Sequence, residues 1–136
     1  MAREFNNRLI ASLQIVTAVG LILFWIAFFT VGMAPDKPPA CYFAYEHSFP
    51  VPDCLLAVLL LAAGILLMKN RPVALKLSLV ASGALMFLGV LDFCFNIQNG
   101  IYTASTLDLV INAFINLWCV GFGLATAILI LRKKDA

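Results

Sequence analysis

Residues 72–96, PVALKLSLVASGALMFLGVLDFCFN, decide the fold of this chain. Lys76 and Asp92 are its only charged members, and between them the stretch is apolar apart from Ser78 and Ser82. A hydrocarbon core about 30 Å thick is crossed by roughly 20 apolar residues in an α-helix. The stretch is therefore predicted to be a membrane-spanning helix. Three more runs of the same character appear on working outward: about 9–33 (LIASLQIVTAVGLILFWIAFFTVGM), 53–69 and 106–131. The uncharged interior of the second, Cys54 to Met68, is short. Either Lys69 snorkels, or that helix begins near Pro52 and continues past Asn70. The first run is much longer than the roughly 7–15 apolar residues of a cleavable signal, so it is expected to be retained.

Composition agrees with this reading. The 136 residues are 63% hydrophobic and 12% charged, against about 45–50% and about 25% in soluble domains. Nine basic and seven acidic side chains are too few to cover the surface of a soluble enzyme. They also leave no footprint for nucleic acid, and the apolar content excludes a disordered tail. The net charge of +2 argues for no particular partner. The expected fold is all-α: a single 1–136 integral membrane four-helix bundle of up-down topology.

Lys and Arg set the expected orientation. Arg3 and Arg8 precede the first helix, Lys69, Arg71 and Lys76 surround the second connection, and Arg132, Lys133 and Lys134 follow the fourth helix. Only Lys37 falls on the other side. Both termini are thus expected on the cytoplasmic side of an inner (plasma) membrane. The connections differ in kind. Residues 69–72 form a tight turn with Pro72 suited to a first helical position, and 97–105 turn around Asn99-Gly100. The outer loop 34–52 is rich in proline and carries Tyr42, Phe43, Tyr45 and Phe49. It is expected to lie at the interface and partly cap the bundle.

Within the last two spans the small and polar residues are ordered. Ser78, Ser82, Leu85, Gly89, Asp92 and Asn96 are spaced 4-3-4-3-4, and Asn112, Asn116, Cys119, Gly123 and Thr126 are spaced 4-3-4-3, with Asp108 one turn earlier. Each set lies on one helix face. Antiparallel pairing sets Asn96 against Asp108, Asp92 against Asn112, Gly89 against Asn116, Ser82 against Gly123 and Ser78 against Thr126. Interhelical hydrogen bonds along that row are expected to hold the hairpin in register.

Asp92 is the leading candidate for function, because an acid inside a span is costly and can hold a proton, a cation or an amine. Asn96, Asn112, Asn116 and Asp108 accompany it. Asp53, Glu46 and His47 fall at the same outer end and complete a candidate ligand- or ion-binding set. Asp108 follows Ser105 by three residues, as in a capping box, and Asp53 sits in a first turn that favours an acid. Both have a structural role available as end caps. Gln14 is expected to bond a neighbouring helix, Thr17 to face the bundle, and Trp25 and Trp118 to pack. Cys41 and Cys54 lie on the outer side and are a candidate disulfide, whereas Cys94 and Cys119 are expected to be packing residues. No C-x-x-C pair of the kind used by four-helix thiol oxidases is present, nor any nucleotide, zinc, serine-hydrolase or haem signature. No catalytic residue, metal ligand or cofactor is assigned.

Two segments, FPVPD at 49–53 and LDFCFNIQNGIY at 91–102, resemble those of a family of small bacterial four-helix integral membrane proteins. The resemblance implies the membrane fold and brings no activity with it. The expected protein is a non-enzymatic one that binds a partner, lipid or small solute at an outer-facing polar pocket. The alternatives are a small proton- or cation-coupled transporter or channel subunit using Asp92, and a membrane thiol-redox or lipid-modifying enzyme. Its expected surroundings are the lipid bilayer and either further copies of itself or a larger membrane-protein partner.

Overall fold

The computed structural model describes residues 2–134, with side chains described from Asn6 to Arg132. Met1, Asp135 and Ala136 of the expected 1–136 unit lie outside the described residues, as do the side chains of Arg3, Lys133 and Lys134 used in the charge count. The elements are α1 (Ala2–Thr30), α2 (Tyr42–Glu46), α3 (Pro50–Met68), α4 (Val73–Gln98), a 3₁₀ turn (Ile101–Thr103) and α5 (Thr106–Lys134). Four helices are long and apolar enough to cross a membrane. In lipid every backbone N–H and C=O must be satisfied within the segment, and a continuous helix does this.

The ends follow local chemistry. Gly32, at φ 82°, closes α1 by donating its N–H to the Ala27 carbonyl at 3.2 Å. After α3 the left-handed residue is Asn70, at φ 54°. There the Arg71 N–H donates to the Leu66 carbonyl at 2.9 Å and the Asn70 N–H to that of Leu67 at 3.1 Å, a Schellman closure. Pro72 then caps α4. The second span begins at Pro50, ahead of the Pro52 expectation, because prolines are tolerated in a first turn whose N–H groups have no helical acceptor. Helix α1 likewise starts earlier than expected, at Ala2.

Packing runs through neighbours in the chain: α1 on α3, α3 on α4 and α4 on α5. Contact between α1 and α5 is much lighter. At one end Ile10, Ala11, Leu67 and Ala74 cluster. At the other, Trp25, Phe28, Tyr42 and Ile101 form a cluster beneath α2. Between them Leu56, Leu60, Leu85 and Cys119 make the central core.

The α4–α5 row has the expected register but not the expected bonds. A Cβ on Gly89 would stand 3.0 Å from the Asn116 carbonyl oxygen, and one on Gly123 would stand 2.8 Å from that of Ser82. The backbones therefore meet at the glycines. The polar side chains bond elsewhere. Asn112 Nδ2 donates to the Asp108 carbonyl in its own helix at 2.9 Å, and Ser82 Oγ to the Ser78 carbonyl at 2.7 Å. Ser78 Oγ donates across to Gln14 Oε1 at 3.3 Å, leaving Thr126 Oγ1 buried without a partner. Close backbone approach, rather than a ladder of hydrogen bonds, joins these helices.

Candidate functional site

The end of the bundle that carries the 34–52 segment holds nearly every candidate residue. Its cover is α2, which the aromatic residues of CYFAYE fasten down. Tyr45 stacks on Phe95 with ring centroids 3.7 Å apart and planes 2° from parallel. Its hydroxyl donates to Asp92 Oδ1 at 2.9 Å. Tyr42 is buried against Phe95 and Ile101. The loop read as an interfacial cap thus includes a short helix that contacts the intramembrane acid itself.

Beneath it lies a cavity of about 310 Å³ in the cleft between α1 and α5, walled behind by α3 and α4. Glu46, Asp53, Asp92, Asn96, Asn112 and Asn116 all line it. Most of the remaining wall is apolar, and five of its residues are aromatic: Phe24, Trp25, Phe49, Phe114 and Trp118. Among the described residues no Lys, Arg or His lines it. Asp53 is 6% exposed, and its Oδ2 accepts from Trp25 Nε1 at 2.9 Å. Trp118 Nε1 donates to Thr17 Oγ1 at 3.0 Å across the cleft, and Thr17 in turn donates to the Leu13 carbonyl at 2.7 Å. Asn116 Nδ2 donates to the Tyr102 hydroxyl at 2.7 Å.

A second cavity of about 280 Å³ opens above the first, toward the 34–36 segment and the start of α5. Asp36, Asp108 and Ser105 line it, and Phe24, Glu46 and Asn112 line both cavities. The two cavities, an upper and a lower chamber, therefore adjoin at those three side chains.

The structure separates the candidates accordingly. Asp53, Asp92, Asn96 and Asn116 face the lower chamber, Glu46 and Asn112 face both, and Asp108 faces the upper one. Asp108 also serves as a cap: Ser105 Oγ donates to its Oδ2 at 2.6 Å and accepts from its backbone N–H at 3.0 Å. His47 lines neither chamber and instead packs against Phe28, Phe29 and Phe43. Cys41 and Cys54 stand as free thiols, which corrects the expected disulfide. The α2 helix and its following turn separate them, and Cys41 Sγ is directed to Asn99 Oδ1 at 3.4 Å. Among the described residues no three His, Cys, Asp or Glu side chains are grouped to hold a metal ion.

Sequence reasoning placed Trp25, Trp118 and Tyr45 only as packing or interfacial residues. Each is a hydrogen-bond donor in the cavity wall or to one of its acids. A buried Trp or Tyr near an acid is a general signal for such pairing, since its N–H or O–H needs an acceptor. The sequence separation of 28 residues between Trp25 and Asp53 hid this one.

The chain belongs to the family described as Domain of unknown function (DUF8058), whose model matches residues 4–135. No curated protein and no solved structure matches it.

Proposed function

We propose that this protein is a small multi-pass membrane protein that binds a small solute within the bundle, without catalysing a reaction on it. The observation that supports this reading is the lower chamber. About 310 Å³ of space lies among mainly apolar walls and is furnished with three carboxyl and three carboxamide side chains, the general make-up of a ligand pocket. The positive-inside bias supports an up-down bundle with both termini in the cytoplasm. The chambers then lie toward the outer face of what we read as a bacterial plasma membrane, in line with the resemblance of the FPVPD and LDFCFNIQNGIY segments.

Gly20 supplies the test. It lines the lower chamber, and a Cβ there would meet nothing within 4 Å. Gly20→Leu is therefore expected to take up space in the cavity, since its Cβ enters open space. Native mass spectrometry of the full chain released from mild detergent is expected to show a retained small molecule in the parent protein and its loss in Gly20→Leu. An adduct that survives the substitution, or none in either protein, would overturn the reading.

A second reading is a small transporter or channel subunit, and the adjoining of the two chambers favours it. Phe24, Glu46 and Asn112 stand where the two chambers adjoin. Such a protein of 14.8 kDa would work with further copies of itself or inside a larger assembly. Flux in proteoliposomes that falls on Asp92→Asn supports it; flux untouched by that change removes Asp92 from any such role.

A further inference from the structure

We infer that the solute is an amphiphilic organic ammonium ion, its charged group among Glu46, Asp53, Asp92 and Asn96 and its apolar body in the cleft between α1 and α5. The inference rests on the lower chamber being a ligand site and names what that site recognises.

Charge is the first reason. The chamber wall carries three carboxyl groups and no basic side chain. Asp53 and Asp92 each receive one hydrogen bond, from the neutral donors Trp25 and Tyr45. A carboxylate accepts at about four positions, so most of the acceptor capacity around the chamber is unused. An ammonium group brings up to three donors and the missing positive charge.

Asn96 is the second and independent reason. Its side chain is 5% exposed and lines the chamber, yet it has no hydrogen-bond partner among the described residues. Unlike Gln14 Nε2 and Thr126 Oγ1, its amide is not sealed off from the space around it, so a ligand in the chamber can pair with it. A ligand N–H would give its carbonyl oxygen the donor it lacks.

Size and shape then choose among cations. Among the described residues no three acids are grouped to ligate a metal ion, and the chamber of about 310 Å³ has room for a larger cation. Aromatic rings on both sides of the cleft suit a cation and an apolar body alike. Val16 and Phe114 line the chamber while being 61% and 66% exposed. The cleft is therefore open sideways, where a membrane helix meets lipid, and α1 and α5 pack only lightly there. A ligand seated by its head group at the acids can extend its body through that gap, which suits an amine that partitions into membranes.

The two tryptophans of the chain, Trp25 and Trp118, both line the chamber, so intrinsic fluorescence reports its occupancy. The full chain in nanodiscs of zwitterionic lipid is titrated with 2-phenylethylammonium, with neutral 2-phenylethanol and with anionic 3-phenylpropionate. Saturable binding of the ammonium is expected, about tenfold tighter than the alcohol, with none for the carboxylate. Glu46→Gln, which removes a charge that makes no hydrogen bond in the chain, should weaken the ammonium several-fold and leave the alcohol unchanged. Asp92→Asn, which keeps an acceptor for Tyr45, should do the same. Gly20→Leu should abolish all specific signal. Binding that Gly20→Leu abolishes, but that favours the alcohol or the carboxylate or ignores both acid substitutions, overturns the ammonium assignment and leaves the cavity as a binding site. If no probe gives a signal sensitive to Gly20→Leu, both fall.

Discussion

Tyr45 holds Asp92 from outside its helix: the phenol donates to Oδ1 at 2.9 Å while the ring stacks on Phe95, one turn farther along α4. One side chain of a five-residue helix thereby fixes the cover of the cavity to its wall and gives a partly buried acid its one donor among the described residues. Tyr45→Phe keeps the stack and removes the bond, and should lower stability by about 1–2 kcal/mol. Tyr45→Ala removes both and should cost more. Thermal unfolding in detergent measures each. A double-mutant cycle of Tyr45→Phe with Asp92→Asn should show coupling of roughly 0.5–2 kcal/mol; strict additivity would mean that the bond contributes nothing.

Trp25 and Asp53 form the matching pair on the α1–α3 side. Trp25→Phe leaves a carboxyl that is 6% exposed without its donor. The expected loss is about 1–3 kcal/mol beyond the lost packing. Adding Asp53→Ala should recover part of it, because the orphaned acceptor is then gone. Unfolding midpoints of the single and double variants decide this, and a double variant as unstable as the sum of the singles would contradict it.

Glycines on α4 and α5 fall into two classes. An alanine Cβ at Gly89 would stand 2.7 Å from Val120 Cγ2, and at Gly123 2.8 Å from the Ser82 carbonyl oxygen. At Gly83 and Gly121 it meets nothing within 4 Å. Alanine at the first pair should separate the helices and cost roughly 1–3 kcal/mol each. At the second pair it should be neutral or stabilise by up to about 1 kcal/mol through helix propensity. Unfolding of the four variants in mixed micelles should sort them two and two.

Thr126 carries a buried hydroxyl with no partner. Valine has nearly the same shape and no hydroxyl. Thr126→Val should therefore stabilise the bundle by about 1 kcal/mol. A lower midpoint would show that the hydroxyl is satisfied in the membrane.

Cys41 is a free, exposed thiol at the end of the bundle that holds both chambers. If the proposed orientation with both termini in the cytoplasm holds, a membrane-impermeant maleimide should label intact cells, and Cys41→Ser should remove most of the label. Labelling that appears only after permeabilisation would reverse the orientation.

Much of the fold was legible in single stretches of sequence. A segment such as 72–96 in lipid has no alternative to helix, and the turns announced themselves at Asn70-Arg71-Pro72 and Asn99-Gly100. The 4-3-4-3 spacing also placed Gly89 and Gly123 on the α4–α5 contact, because helical periodicity alone puts such residues on one face. The same spacing misled about hydrogen bonding. Asn112 and Ser82 found acceptors one turn back in their own helices, four residues away, and such local acceptors are at hand as soon as the helix forms. Gln14 did bond a neighbouring helix, through Ser78.

By itself, the sequence determined the solvent, the four long helices, the face that α4 and α5 share and the acids at one end. These depend on composition and on periods of a few residues. Only the tertiary structure decided that Tyr45 reaches Asp92 and Trp25 reaches Asp53, that Cys41 turns to Asn99, and that α1 and α5 leave a cleft. Those outcomes depend on how far apart packed helices stand and which way a capping helix lies, and no local pattern records either.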